Sequence, residues 1–292
     1  MKKFILTLAV LAATICASAE EKTKTYDFGD IKILNVEYNY QVYVTKGNSG
    51  KVKIEYDSKF EDYLKVKYYA DGKSLSISMD DRLPNMLKTG KQPRINVYLE
   101  MNEITKVDLS GACTVTFEGE YKAGELDIEV SGASKLNYLK IDGRNLDADC
   151  SGAAFCKISG NFTEDVELDL SGASKMEYAG NSKVFEAEIS GASKLSFSGK
   201  YDNTEVTCSG ASKANMEGSS ESAEYECSGA SNIEAEDFIV KNVKASLSGA
   251  SRAEIHATDN LTYMVSRSSK IVYYGDAVLK NVSTDTNVVK GR

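Results

Sequence analysis

The triplet Ser-Gly-Ala returns along this chain about every twenty residues, and a fixed period of that length decides the class of fold before any local pattern is read. Its serines stand at 110, 131, 151, 171, 190, 209, 228 and 248, with a degenerate SRSSK at 266, so successive steps are 21, 20, 20, 19, 19, 19, 20 and 18 residues. The residue before each serine is Leu109, Val130, Cys150, Leu170, Ile189, Cys208, Cys227, Leu247 or Val265, an apolar column. Two places earlier stand Val107, Ile128, Ala148, Leu168, Ala187, Val206, Tyr225, Ala245 and Tyr263, and the residue between the two columns is usually Asp or Glu. That is strand alternation, one side in and one side out. After the triplet, Leu136, Met176, Leu195, Ile233 and Ile271 are expected inward, followed two places on by Tyr138, Tyr178, Phe197, Ala235 and Tyr273.

Twenty extended residues trace roughly 65 Å, enough to close as a three-cornered coil whose successive turns lie about 4.8 Å apart as parallel strands. Crossovers between parallel strands are right-handed. The expectation is therefore an all-β chain, a right-handed parallel β-helix of about nine coils of 18–21 residues with an irregular β-rich N-terminal part. A leucine-rich repeat has a similar period but needs an LxxLxLxxN pattern that is absent, and a propeller blade needs about twice the length. In this frame the triplet is a corner. Gly111 and its seven equivalents sit where the chain turns, since glycine alone enters positive φ without steric cost. Ala112, Ala133, Ala173 and Ala192 are expected on the tight inner side, and stacked serines can pass hydroxyl bonds from coil to coil. The catalytic reading of SGASK, a serine nucleophile with a lysine base, fails on spacing: the two are four apart, not S-x-x-K, and no G-x-S-x-G elbow occurs.

The ends divide as follows. Lys2 and Lys3 precede an apolar run from Phe4 to about Ala13, and Ala17-Ser18-Ala19 offers small residues at the spacing of a cleavage site, so residues 1–19 read as a secretory signal peptide. Ile15 beside Cys16 is bulkier than a lipoprotein signal tolerates. No stretch approaches the roughly 20 apolar residues of a membrane-spanning helix. Residues 20–105 lack the triplet yet alternate well, with Asp71-Gly72 as a hairpin turn and DDRLPNMLKTGKQP (80–93) as a surface loop. They are expected to start the solenoid and cover its first edge. Residues 106–282 carry the repeats and the second cap, and 283–292 form a tail.

Removal of residues 1–19 takes away Lys2 and Lys3 and no acid, moving the net charge from −8 to −10. An acidic exported chain is a poor partner for nucleic acid, whose binding rests on neutralised phosphates. Catalytic groups are scarce: His256 is the single histidine and falls on an outward strand position. Cys113, Cys150, Cys156, Cys208 and Cys227 show no C-x-x-C spacing and are expected as buried thiols, with Cys208 and Cys227 neighbours whose parallel side chains approach poorly for a disulfide. No catalytic, cofactor-binding or metal-binding residue is assigned, and no cofactor is expected. Tyr38, Tyr40, Tyr43 and the pair Tyr68-Tyr69 read as strand residues, with sugar stacking as their functional alternative. Two outward columns are acidic: Asp127, Asp147, Glu167, Glu186, Glu205 and Glu224, then Asp108, Glu129, Asp149, Asp169 and Glu188. They read as a solvated face that keeps rods apart, with collection of divalent cations as the alternative.

The segments YDFGDIKILNVEYNYQVYVTKGNSGKVKIEYD, LKVKYYADGKSLSISM and RINVYLEMNEITKVDLSGACTV, followed by the tandem SGAS units, closely resemble the bacterial exported family of head GIN domain putative autotransporter adhesins. The resemblance covers nearly the whole mature chain and implies a β-helical envelope or surface protein, without any catalytic or binding residue to carry over. The function expected is that of a noncatalytic protein of the periplasm, outer surface or extracellular space that presents a β-helical face to a glycan or a surface protein. A polysaccharide-cleaving β-helix enzyme, with paired carboxylates under long loops, and a structural or stress-related envelope component are the alternatives.

Overall fold

The computed structural model describes residues 20–84, 95–266, 268–283, 285 and 287–291. The signal peptide expected at 1–19, most of the loop expected at 80–93 and Arg267 of the degenerate corner lie outside the described residues.

The fold is a β-solenoid of about nine turns, and no α-helix occurs among the described residues. Each regular unit contributes a strand before the corner and another after it, and each pairs in parallel with its equivalent one period away. Before the corner, Lys106–Leu109, Glu125–Val130, Asn145–Cys150, Asp165–Leu170 and Ser182–Ile189 stack in order. After it, Thr114–Glu118, Lys135–Asp142, Phe155–Ser159 and Lys175–Ala179 do the same. From Lys194 onward single strands run the whole distance between corners: Lys194–Cys208, Lys213–Cys227, Asn232–Leu247 and Arg252–Val265. The two columns before the corner are buried throughout, from Val107 and Leu109 to Tyr263 and Val265. The interior is one continuous apolar core whose middle is aromatic, Phe185 stacking on Phe197 at 4.2 Å and lying 4.8 Å from Tyr201.

All eight corner glycines adopt positive φ, between 69° and 83°. Their backbone is also part of the stack: the Ala133 N–H donates to the Gly111 carbonyl at 2.7 Å, and the same bond recurs at 2.7 Å up to Ala250 on Gly229. A Cβ at Gly132 would stand 2.5 Å from the Gly111 carbonyl oxygen, so the corner excludes any side chain by close approach as well as by φ. One expectation is corrected here. Ala112, Ala133, Ala173 and Ala192 are exposed, and the buried small residue is the next one: Ser134, Ser174, Ser193 and Ser212 are at most 1% exposed. Alternation read backward from inward Leu136 through outward Lys135 already places Ser134 inside. Ser174 Oγ donates to Ser193 Oγ at 3.2 Å, one coil on.

The N-terminal part does not stack in sequence order. Ile33–Val36 and Tyr40–Lys46 form a coil whose partners are Lys106–Leu109 and Thr114–Glu118 on one side, and Ser74–Met79 and Ile95–Met101 on the other. In this coil Tyr38, at φ 86°, occupies the corner, and Gly111 packs against its backbone. The outermost edge is then closed by antiparallel strands: Leu64–Tyr69 on Ser74–Met79, Lys51–Asp57 on Ile95–Met101, and Glu21–Asp27 on Lys51–Asp57. Antiparallel closure removes the open parallel edge that would invite edge-to-edge association. The turn at Asp71-Gly72 joins one of these hairpins, Lys73 N–H bonding the Ala70 carbonyl at 3.3 Å. At the far end Val278–Asn281 continues the stack on Arg252–Val265. Val288–Lys290, inside the segment expected as a tail, pairs with Ile271–Tyr273.

Candidate functional site

In the coil that begins at Ser131, the strand after the corner breaks its register. Lys135 and Leu136 pair with Phe155 and Cys156, but the next paired residue is Leu139, opposite Ile158. Tyr138 is the displaced residue, with φ 57°, and its side chain is 65% exposed where the alternation predicts it buried. Leu139 takes the core position instead and is fully buried. The correction has a physical cause: a bulge inserts one residue into a strand and re-aims the side chain it carries. A left-handed conformation in a bulky aromatic is costly. The sequence signal is the adjacent pair Tyr138-Leu139, two large apolar residues where alternation allows one inward, with Ile141 continuing the pattern from Leu139 rather than from Tyr138.

Tyr138 stands at one end of an open trough of about 630 Å³ that runs along the rod across the post-corner strands. One wall is the in-register column Lys157, Glu177, Ser196 and Asn215. The floor is the column Ser159, Ala179 and Ser198, three small side chains that leave the strand backbone approachable. The Lys157 ammonium lies 5.5 Å from the Tyr138 ring centroid and 3.1 Å from the Glu177 carboxylate. Lys175 reaches the same carboxylate at 2.6 Å. Hydrogen bonds from Lys175 and Lys157 hold the Glu177 carboxyl below its ordinary value. At the far end Asn215 Oδ1 is buried, and no group among the described residues donates to it.

The strands before the corner present the acidic columns, and the structure brings them into register as the period requires. Asp127, Asp147, Glu167, Glu186, Glu205 and Glu224 are successive Cα partners, with Lys106 at one end of the row and Lys244 at the other. Lys106 bonds Asp127 at 2.8 Å and also Glu129, and Lys244 reaches Glu224 at 3.3 Å. Partial burial, then the neighbouring carboxylates, raises the pKa of Asp147, Glu167 and Glu205. In the parallel column the same causes, in the same order, raise Asp108, Asp149 and Asp169. The carboxylates lie in rows rather than converging, and no group of three or more His, Cys, Asp and Glu arranged for a metal ion occurs among the described residues.

The other singled-out residues are dispersed. His256 faces outward, Nδ1 3.0 Å from the Glu236 carbonyl oxygen. The five cysteines are buried thiols. Tyr40 is buried and donates to the Ser78 carbonyl at 2.8 Å, Tyr43 stacks on Tyr98 at 5.2 Å, and Tyr68 donates to the Asp30 carbonyl at 2.9 Å. These tyrosines belong to the N-terminal coil and its cap, not to the trough. Among the described residues no helix is long and apolar enough to cross a membrane.

A family model described as putative auto-transporter adhesin, head GIN domain, matches residues 30–178 and again 162–277. No curated protein matches the chain. Among solved structures, a putative adhesin from Parabacteroides distasonis is similar at 14% identity over 93% of this chain and 97% of that one, with a TM-score of 0.48. A putative adhesin from Parabacteroides merdae is similar at 17% identity over 94% and 97%, with a TM-score of 0.45. A putative lipid binding protein from P. distasonis is similar at 13% identity over 93% and 97%, with a TM-score of 0.43.

Proposed function

Because the chain belongs to the family of head GIN domain putative auto-transporter adhesins, we propose that it is an exported, noncatalytic binding protein of the envelope or cell surface whose β-helical face receives a glycan or a protein. The observation that carries this reading is the trough beyond the corner, a long open depression with an outward aromatic at one end and hydrogen-bonding side chains along one wall. A stiff parallel stack holds these groups at fixed spacing, so little ordering is needed when a ligand docks.

The cleaving alternative needs a general acid whose pKa is raised beside a second carboxylate across a cleft. In the trough the shift has the opposite sign, since two lysines keep Glu177 ionised. The acidic columns do carry raised carboxylates, but in neighbouring rows on one strand face.

The test uses the chain lacking residues 1–19, immobilised on beads and offered fluorescent neutral and acidic polysaccharides and intact bacterial cells, with released reducing ends assayed in parallel. Retention of at least one polysaccharide or cell type without release is expected. Release of reducing ends, or retention of nothing, overturns the proposal.

A further inference from the structure

The geometry points to a specific ligand class for the trough: an uncharged, pyranose-containing glycan laid along the rod axis, with one ring stacked on Tyr138. This rests on the reading of the chain as a binding protein and narrows what it binds.

Four observations lead there. First, Tyr138 does not serve the core by its position, and its ring meets the Lys157 ammonium on the outer face. Leu139 fills the core in its place, while the tyrosine is left 65% exposed at φ 57°. Strain of this kind persists where the surroundings over-determine it, and it concentrates at ligand sites. An exposed phenol ring is a flat apolar platform with a polar tip, matched to the C–H face of a sugar. Second, the wall beyond it repeats at the coil spacing of about 4.8 Å, close to the length of one pyranose unit. Lys157, Glu177, Ser196 and Asn215 thus offer one hydrogen-bonding group per sugar over successive coils. Third, the floor of Ser159, Ala179 and Ser198 is low enough for rings to lie against the sheet.

The fourth observation excludes acidic polymers. Both lysines lining the trough are already paired, Lys157 with Glu177 at 3.1 Å and Lys140 with Glu120 at 2.5 Å. Glu217 adds a further negative charge. A hydroxyl-rich neutral chain can donate to Glu177 and to Ser196 and accept from Lys157. A polyuronate would instead displace an existing ion pair.

The test is affinity electrophoresis of the chain without residues 1–19 through gels containing laminarin, yeast mannan, arabinoxylan or galactan, with polygalacturonate as the anionic comparator and a panel of immobilised surface proteins alongside. Tyr138→Gly is the informative variant, because glycine accepts the left-handed conformation without strain. Its melting temperature should equal or exceed that of the unaltered chain. Tyr138→Asn, which also tolerates this conformation, is the second variant should the first fail to fold. Tyr98→Ala, on the N-terminal cap, is the control. We expect retardation by at least one neutral polysaccharide, weakened about tenfold or more in Tyr138→Gly and unchanged in Tyr98→Ala. Unchanged retardation in Tyr138→Gly overturns the assignment of the trough and leaves the binding reading standing. Retention only by polygalacturonate or by a protein overturns the neutral-glycan class alone. Retention by none of the probes overturns both.

Discussion

Cys150 and Cys156 bring their sulfurs to 3.0 Å across the single corner at Ser151. Register alone favours another pair, Cys208 and Cys227, which are Cα partners on adjacent coils. Parallel neighbours project their side chains the same way, whereas residues on the two sides of a corner project toward each other. Both pairs interact through their thiols, Cys208 with Cys227 as well as Cys150 with Cys156, and the pair across the corner is the one whose sulfurs meet at 3.0 Å.

All five cysteines are at most 3% exposed. The hydrogen bond with Cys150 and burial push the Cys156 thiol well above its ordinary pKa, and the nucleophile in alkylation and exchange is the thiolate. Labelling with iodoacetamide at neutral pH should therefore be slow in the native state and near complete after denaturation without reductant. Under forced oxidation, peptide mapping should place the first disulfide between Cys150 and Cys156. Earlier appearance of Cys208–Cys227 would contradict this.

The corner makes a second prediction. Gly172 has φ 75°, and a Cβ there would sit 2.7 Å from the Gly152 carbonyl oxygen; at Gly191 the distance to the Gly172 oxygen is 2.5 Å. Valine at either position meets both a forbidden backbone region and a backbone clash, together costing about 3 kcal/mol or more. Ser174→Ala removes one buried hydroxyl bond to Ser193, about 1 kcal/mol, and Lys175→Ala a half-exposed ion pair, about 0.5 kcal/mol. Thermal melts should rank the variants in that order. Equal losses across the set would count against the corner as the structural determinant.

Much of this was legible in the sequence because the repeat imposes one environment on each column. Leu109 through Val265 are buried, and the eight glycines share one backbone conformation, since equivalent residues stack on one another. Ser134 and its equivalents needed only the alternation carried back through Lys135. What resisted reading was non-periodic. The coil of Ile33–Lys46 stacks between segments that follow it in sequence, and its corner is Tyr38 at φ 86° where the eight Ser-Gly-Ala corners have glycine, so neither spacing nor motif marks it. Tyr138 resisted for a related reason. A bulge adds one residue without leaving the range of unit lengths, because Ser131 to Ser151 is 20 residues, as is the unbulged step from Ser151 to Ser171.

The acidic column makes the last prediction. Between Lys106 and Lys244 the row Asp147, Glu167, Glu186 and Glu205 has no ion-pair partner among the described residues, and each carboxylate is the register partner of the next. Like charges at this spacing repel by about 1 kcal/mol per pair even at the dielectric constant of water. The folded-state pKa values of Asp147, Glu167 and Glu205, and of Asp108, Asp149 and Asp169 beside them, are raised above their unfolded values. The folded chain therefore binds protons more readily than the unfolded one, and stability rises as pH falls through those values toward about 4, the ordinary carboxylate range. The opposing groups are ion-paired carboxylates with lowered values, Glu55, Glu61, Asp80, Glu120 and Glu177, whose contribution is lost only on further acidification. Melting temperature should thus increase from pH 7 toward about pH 5 and decline below about pH 4. In Asp147→Asn/Glu167→Gln the value at pH 7 should be higher than in the unaltered chain and the rise on acidification smaller, whereas Lys106→Met should lower it. A melting temperature that falls steadily from pH 7 downward, unaffected by the double substitution, would show that the column is not a source of repulsion.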